Sequence, residues 1–302
     1  MLLYEYPMLL KKRIPVKYIF GKIKYNMLYA LIVGIAIHYL SVYASHYIPV
    51  MPLSIPAFLG TAISVLLSFK MSQSYERWWE ARKVWGAIVN DSRTFVVQLQ
   101  AFIHDEGTIK KLAYRQIAWC YSLGQSLRGQ APIENLGAYF EGDDFANLNA
   151  NSNKPLAIIQ QNSNDIKELH QKGEIDTFTQ IHLDKTLIRL VDSMGKAERI
   201  NSTVFPTTYR LSLHYAIYLF ITVLSIALDN IDIVYELPLL LAISVIFFMM
   251  EKTATHLQDP FMDRPSDTAV TTIARTIEIN LKQLLKEKEI PEPLKTEGFY
   301  SL

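Results

Sequence analysis

The stretch SFKMSQSYERWWEARKVWGAIVNDSR, Ser68 to Arg93, joins two kinds of sequence that seldom meet. Up to Phe69 it is the end of an uncharged apolar run, and beyond Phe69 paired tryptophans, Trp78 and Trp79, stand amid alternating charge. Upstream, Ile48 to Phe69 carries no Asp, Glu, Lys or Arg, but Pro49, Pro52 and Pro56 leave only Ala57 to Phe69 as uninterrupted helix. Thirteen residues are too few to cross lipid alone, where about 20 are needed. A short helix dotted with Ser and Thr suits the interior of a bundle, lining water instead of lipid. Further upstream, YNMLYALIVGIAIHYLSV, Tyr25 to Val42, is the clearest spanning helix. Far downstream, Leu211 to Leu228 and Leu237 to Met250 form a third and a fourth, a hairpin around Asp229, Asp232 and Glu236.

Downstream of Phe69 the character changes. Val84, Ile88, Phe95 and Leu99 recur at helical spacing between Glu80 and Phe102, so an amphipathic helix continues from the second span. Another helix follows the loop at Gly107 and runs to about Leu127, and NLNANSNK, Asn147 to Lys154, is a polar break. Asp176 can cap a further helix that carries Ile181, Leu187, Leu190, Val191 and Met194 and is expected to end near Gly195. The class is an all-α integral membrane protein with four transmembrane helices and a helical cytoplasmic domain. Its divisions fall at 1–24 (N-terminal segment), 25–75 (first two spans), 76–210 (cytoplasmic domain), 211–250 (last two spans) and 251–302 (C-terminal segment).

Orientation follows from the flanks, because Lys and Arg beside a span stay cytoplasmic. Lys11, Lys12, Arg13, Lys17, Lys22 and Lys24 precede the first span. The link to the second has no base, and Lys70, Arg77, Arg82 and Lys83 follow it, so both termini and the middle segment are expected inside, in the cell (inner) membrane. The opening MLLYEYP shows no secretory signal.

Composition removes other classes. Half of the 302 residues are hydrophobic and a fifth charged, against disorder, and 30 basic against 29 acidic side chains give no field for nucleic acid. One cysteine, Cys120, excludes a disulfide or a Cys-rich metal site. No phosphate-cradling glycine loop, dinucleotide fingerprint or nucleophile elbow occurs. Glu251, His256 and Asp259 have the wrong spacing for one helical face, and Asp259, Asp263 and Asp267 match no EF-hand loop, so neither a metal nor another cofactor is expected. His38 and His214, both inside spans, keep open a membrane enzyme or cofactor carrier, and a membrane scaffold is the third alternative.

The string from Ser68 to Arg93 resembles the bestrophin family of ion channels. Arg77, Trp78 and Trp79 match its RWW signature, and Ser74 to Gly86, including Glu80 and Arg82, the bacterial SYxRxxEARxxWG form. ERINSTVFPTTY (Glu198 to Tyr209) and LQDPFMDRPSDTAVTTIARTIEINL (Leu257 to Leu281) resemble later family segments, so the likeness covers about residues 15 to 285 in order. It implies no enzyme but a homopentamer in the lipid bilayer, with second spans around one axial pore that passes small monovalent ions passively. Carried over residue by residue, the apolar neck falls on Thr61, Val65 and Phe69, with Thr61 replacing the usual bulky aliphatic, and the cytoplasmic aperture on Phe178, or else Ile181. Independently, spacing of four keeps the three neck residues on one helical face over about 12 Å of axis, where apolar rings can gate by dewetting. Selectivity stays open between chloride and monovalent cations. Phe69 edges suit anions, the outer acids suit cations, and a bacterial-type sequence tilts the balance to cations such as sodium. The tail from 286 on is expected to be flexible.

Overall fold

The computed structural model describes residues 16–44, 51–203, 206–229 and 231–294. Lys11, Lys12, Arg13, Pro49 and the tail beyond 294 therefore lie outside the described residues. Among those described, nine α-helices and no strand are found: α1 (Val16–Ala44), α2 (Ser54–Phe102), α3 (Glu106–Leu127), α4 (Asp144–Asn147), α5 (Lys154–Gln171), α6 (Thr177–Ser202), α7 (Thr207–Leu228), α8 (Ile233–Gln258) and α9 (Val270–Leu284). Four of them, α1, α2, α7 and α8, are long and apolar enough to span a bilayer. The chain divides into two compact units.

The first unit, Lys12–Arg77 with Val204–Gln258, holds α1, the start of α2, α7 and α8. Its interior is small: Ile23, Ile63, Leu67, Ile217, Phe220, Leu240 and Phe248 belong to the buried cluster. Much of the apolar surface faces outward instead, with Ile32 57 % exposed, Leu219 57 % and Val234 69 %. Water would penalise such a surface, and lipid tails cover it without cost. Cohesion therefore comes from close approach and from polar contacts between helices. At Gly34 an added Cβ would lie 2.9 Å from Leu237 Cδ1, so only hydrogen lets α1 meet α8 there. At Gly60 it would lie 3.0 Å from the Phe220 ring, which brings α2 against α7 in the same way. Asn26 Nδ2 donates to the Tyr218 hydroxyl at 2.8 Å, Tyr29 and Thr222 share a hydrogen bond at 2.9 Å, and Ser41 donates to Asp229.

The spans are longer than charge-free runs suggest. α2 begins at Ser54, with Pro56 in its first turn, where a missing N–H costs no helical bond. It continues unbroken to Phe102, as the stripe from Val84 to Leu99 predicts. α8 starts at Ile233 because Asp232 Oδ1 accepts from Val234 N at 2.9 Å, and it passes Met250 because the charge at Glu251 is paired.

The second unit contains Trp78–Thr203 and the chain from Asp259 onward. Trp85, Ile88, Phe95 and Leu99 of α2 pack with Leu112, Ile117 and Trp119 of α3, Ile158 and Ile166 of α5, Leu183 and Leu190 of α6, and Ile273 and Ile277 of α9. Caps mark the starts: Asp105 accepts from Thr108 N, Asn153 from Leu156 N and Asp176 from Thr179 N, at 2.7–3.0 Å. One expected boundary is wrong. α6 does not end near Gly195 but runs to Ser202, because nothing lies within 4 Å of a Cβ at Gly195 and an isolated glycine costs only about 1 kcal/mol. Its end comes where Thr203 turns extended, ahead of Pro206.

Candidate ion pathway

On α2 the interior of the first unit takes Ile63, Leu67, Lys70 and Ser74, all buried. The opposite side presents Thr61, Val65 and Phe69, with Val65 52 % and Phe69 61 % exposed. Thr61 and Ser64 donate to the carbonyls of Ala57 and Gly60 at 2.8 and 2.7 Å, so their hydroxyl protons are turned to their own helix. What remains outward is an uncharged face, apolar at Val65 and Phe69. Tyr209 of α7 donates to the Leu66 carbonyl at 2.7 Å and holds α2 between those two residues.

Directly after Phe69 comes the most charged buried contact of this unit. The Lys70 side chain is fully buried and donates to Glu251 Oε1 at 3.0 Å and to Thr255 Oγ1 at 2.9 Å. Thr255 in turn donates to the same carboxylate at 2.9 Å, and His214 Nδ1 lies 3.8 Å from Glu251 Oε2. Glu251 thus serves Lys70, whereas His256 meets Lys22 Nζ at 2.8 Å, so the two point to different partners. A second histidine–carboxylate pair, His38 Nδ1 and Glu236 Oε2 at 3.8 Å, occupies α1 and α8, with Ser225 donating to Glu236 Oε1 at 3.2 Å.

The Lys70–Glu251 pair was missed in the sequence, where Lys70 serves only as a flank charge. A signal existed. Lys70 lies three and seven residues after Leu67 and Ile63, on the buried stripe, and a lysine there requires an acid from another span.

The signature residues tie their surroundings. Arg77 Nε donates to the Gln258 carbonyl at 2.5 Å, a cation closing the C-terminus of α8. Trp78 Nε1 donates to the Ser266 carbonyl at 2.9 Å, and the half-exposed Trp79 stacks beside it at 6.1 Å between centroids. Glu80 pairs with Lys83 at 2.5 Å, and Arg82 lies over Gly86. In the second unit Phe178 and Ile181, one turn apart at the start of α6, are 77 % and 45 % exposed. Asp263 pairs with Arg128 at 2.9 Å. Asp267 is buried and accepts from Arg264 N at 3.1 Å, and burial pushes its carboxyl up from 3.8 to about 6.

Four apolar spans, an uncharged outward face on the second and charge pairs locked between helices define an all-helical membrane protein built around a polar-tolerant helix. The chain belongs to the bestrophin family: the model described as bacterial/fungal bestrophin protein matches residues 11–283. It is 28 % identical over 285 residues, 94 % of this chain and 93 % of the relative, to the voltage-dependent anion channel-forming protein YneE of Escherichia coli K12. The protein of the same name from Salmonella typhi is 30 % identical over 77 % of each chain. The crystal structure of a bacterial bestrophin homolog from Klebsiella pneumoniae superposes with a TM-score of 0.85 at 26 % identity, covering 89 % of this chain and all of that one.

Proposed function

We propose that the chain is one subunit of a homopentameric channel of the inner membrane. It passes small monovalent ions passively along an axis lined by five copies of α2. The carrying observation is the α2 face itself: Val65 and Phe69 are large, apolar and more than half exposed, while Ile63, Leu67 and Lys70 on the other side of the helix are buried. Family membership supports placing other copies around that face. In this reading Thr61, Val65 and Phe69 form the neck, which gates by wetting and drying. Phe178, with Ile181 one turn on, forms a second constriction at the cytoplasmic mouth. The basic flanks put both termini and the unit from Trp78 to Thr203 in the cytoplasm. The curated relatives are named as channel-forming proteins, which favours this reading over an enzyme or a scaffold.

The sign of the permeant ion divides two readings. Anions are favoured by the relatives, which are named as anion channel-forming proteins. Cations are favoured by the sequence, but the acids of the outer turn are all engaged, Asp229 by Ser41, Asp232 by Val234 N and the buried Glu236 by Ser225 and His38. The test is purified protein in planar bilayers. Current that grows in Val65→Ala and Phe69→Ala supports the channel, and silent bilayers from intact pentamers contradict it. The reversal potential under a salt gradient gives the sign.

A further inference from the structure

A neck without charge cannot choose the sign of an ion, so the choice passes to the first unpaired charge on the same face. Seven residues after Phe69 stands Glu76. Seven helical steps make about 700°, within about 20° of two full turns, and advance about 10 Å along the axis. Glu76 therefore continues the stripe of Val65 and Phe69 along α2. It is exposed, and among the described residues it has no hydrogen-bond or ion-pair partner. The charges near it on α2 are engaged or turned away, Arg82 standing six steps on and about 120° off the stripe. Lys70 is buried against Glu251, Arg77 is bound to the end of α8, and one turn further Glu80 and Lys83 neutralise each other at 2.5 Å.

We infer that Glu76 is the charge-selecting residue of the channel, five copies forming a ring of carboxylates below the neck that favours monovalent cations. The inference rests on the channel reading above and deepens it. At physiological salt, screening acts over about 8 Å, so the ring influences ions leaving or approaching Phe69 but little beyond it. At low salt the reach extends to about 30 Å, and the preference rises. A ring of like charge in a narrow low-dielectric vestibule concentrates counter-ions about tenfold or more.

The test is the cation-to-anion permeability ratio of the full-length protein in planar bilayers under an NaCl gradient. Wild type is expected to prefer sodium. Glu76→Gln should lower the ratio about tenfold at low salt, Glu76→Asp should keep it, and Glu76→Lys should invert it. A second route avoids any effect of the substitutions on assembly. Glu76→Cys, assembled first and then treated with a positively charged thiol reagent, should shift toward anions, and a separate unmodified sample treated with a negatively charged reagent should shift toward cations. The native thiol will not compete, because Cys120 is fully buried and burial pushes its thiol up to about 12. An anion-preferring wild type, or a ratio unmoved by charge at position 76 while current flows, overturns the role of Glu76 and leaves the channel standing. Silent wild-type protein overturns both.

Discussion

Glu251→Gln keeps the shape of the side chain opposite Lys70 and removes its charge. The Lys70 ammonium is then left with no counter-charge in a place where its side chain is fully buried. Two of its contacts, at 3.0 and 2.9 Å in the wild type, survive as hydrogen bonds from the ammonium to neutral acceptors, the new amide oxygen and Thr255 Oγ1. Breaking a buried ion pair by removing one partner costs about 3–5 kcal/mol. The surviving acceptors place this variant near the lower end, about 3 kcal/mol, which is more than a hundredfold in the folded population. Lys70→Met strands the carboxylate instead and should cost a similar amount, eased by Thr255 and the His214 ring 3.8 Å away. The double variant Lys70→Met with Glu251→Met holds no charge at all and should recover most of the loss, because the cost lies in the stranded charge and not in the missing bond. The assay is thermal dissociation of the purified assembly in one detergent, followed by size exclusion, for wild type, both singles and the double. Singles within about 0.5 kcal/mol of wild type, as for surface pairs, would refute the reasoning, as would a double variant as unstable as the sum.

Other consequences follow from single contacts. Gly34→Val should weaken the pairing of α1 and α8 by more than about 1 kcal/mol, because a Cβ already meets Leu237 at 2.9 Å, while Gly21→Ala on the same helix, with nothing within 4 Å, should be neutral or stabilising in the same assay. Burial raises the Asp267 carboxyl to about 6 from 3.8, so the fold binds that proton more tightly than the unfolded chain does. Its contribution to stability is full below about pH 4, is lost as pH rises through about 6, and is flat above. Asp267→Asn should abolish that slope in unfolding measured between those values. Phe178→Ala, at a side chain 77 % exposed, should change stability by less than about 0.5 kcal/mol yet raise single-channel conductance, and an unchanged conductance would remove it from the pathway.

What the sequence made legible was set by period and by charge. Tyr25 to Val42 is apolar enough to identify as a span without context, and Val84 to Leu99 keep a helical rhythm that carried α2 through to Phe102. Boundaries were harder, since they depend on local bonds that composition does not show. Asp232 counts as a loop acid in sequence and is the cap of α8 in the fold. Gly195 looks like a stop and is passed over, because an isolated glycine costs a helix only about 1 kcal/mol. The pairing of Lys70 with Glu251 spans 181 residues, and only packing could reveal which acid the buried lysine meets. Glu76 was hidden for the opposite reason: it sits inside the family signature string, and its meaning lies in what it does not touch.

The most direct measurement is a structure of the purified assembly in lipid nanodiscs by single-particle imaging. Five subunits around one axis, with Val65 and Phe69 of α2 facing that axis and Glu76 next along it, is the result expected. Copies of α2 turned toward lipid, or an assembly with no central opening, would contradict the account.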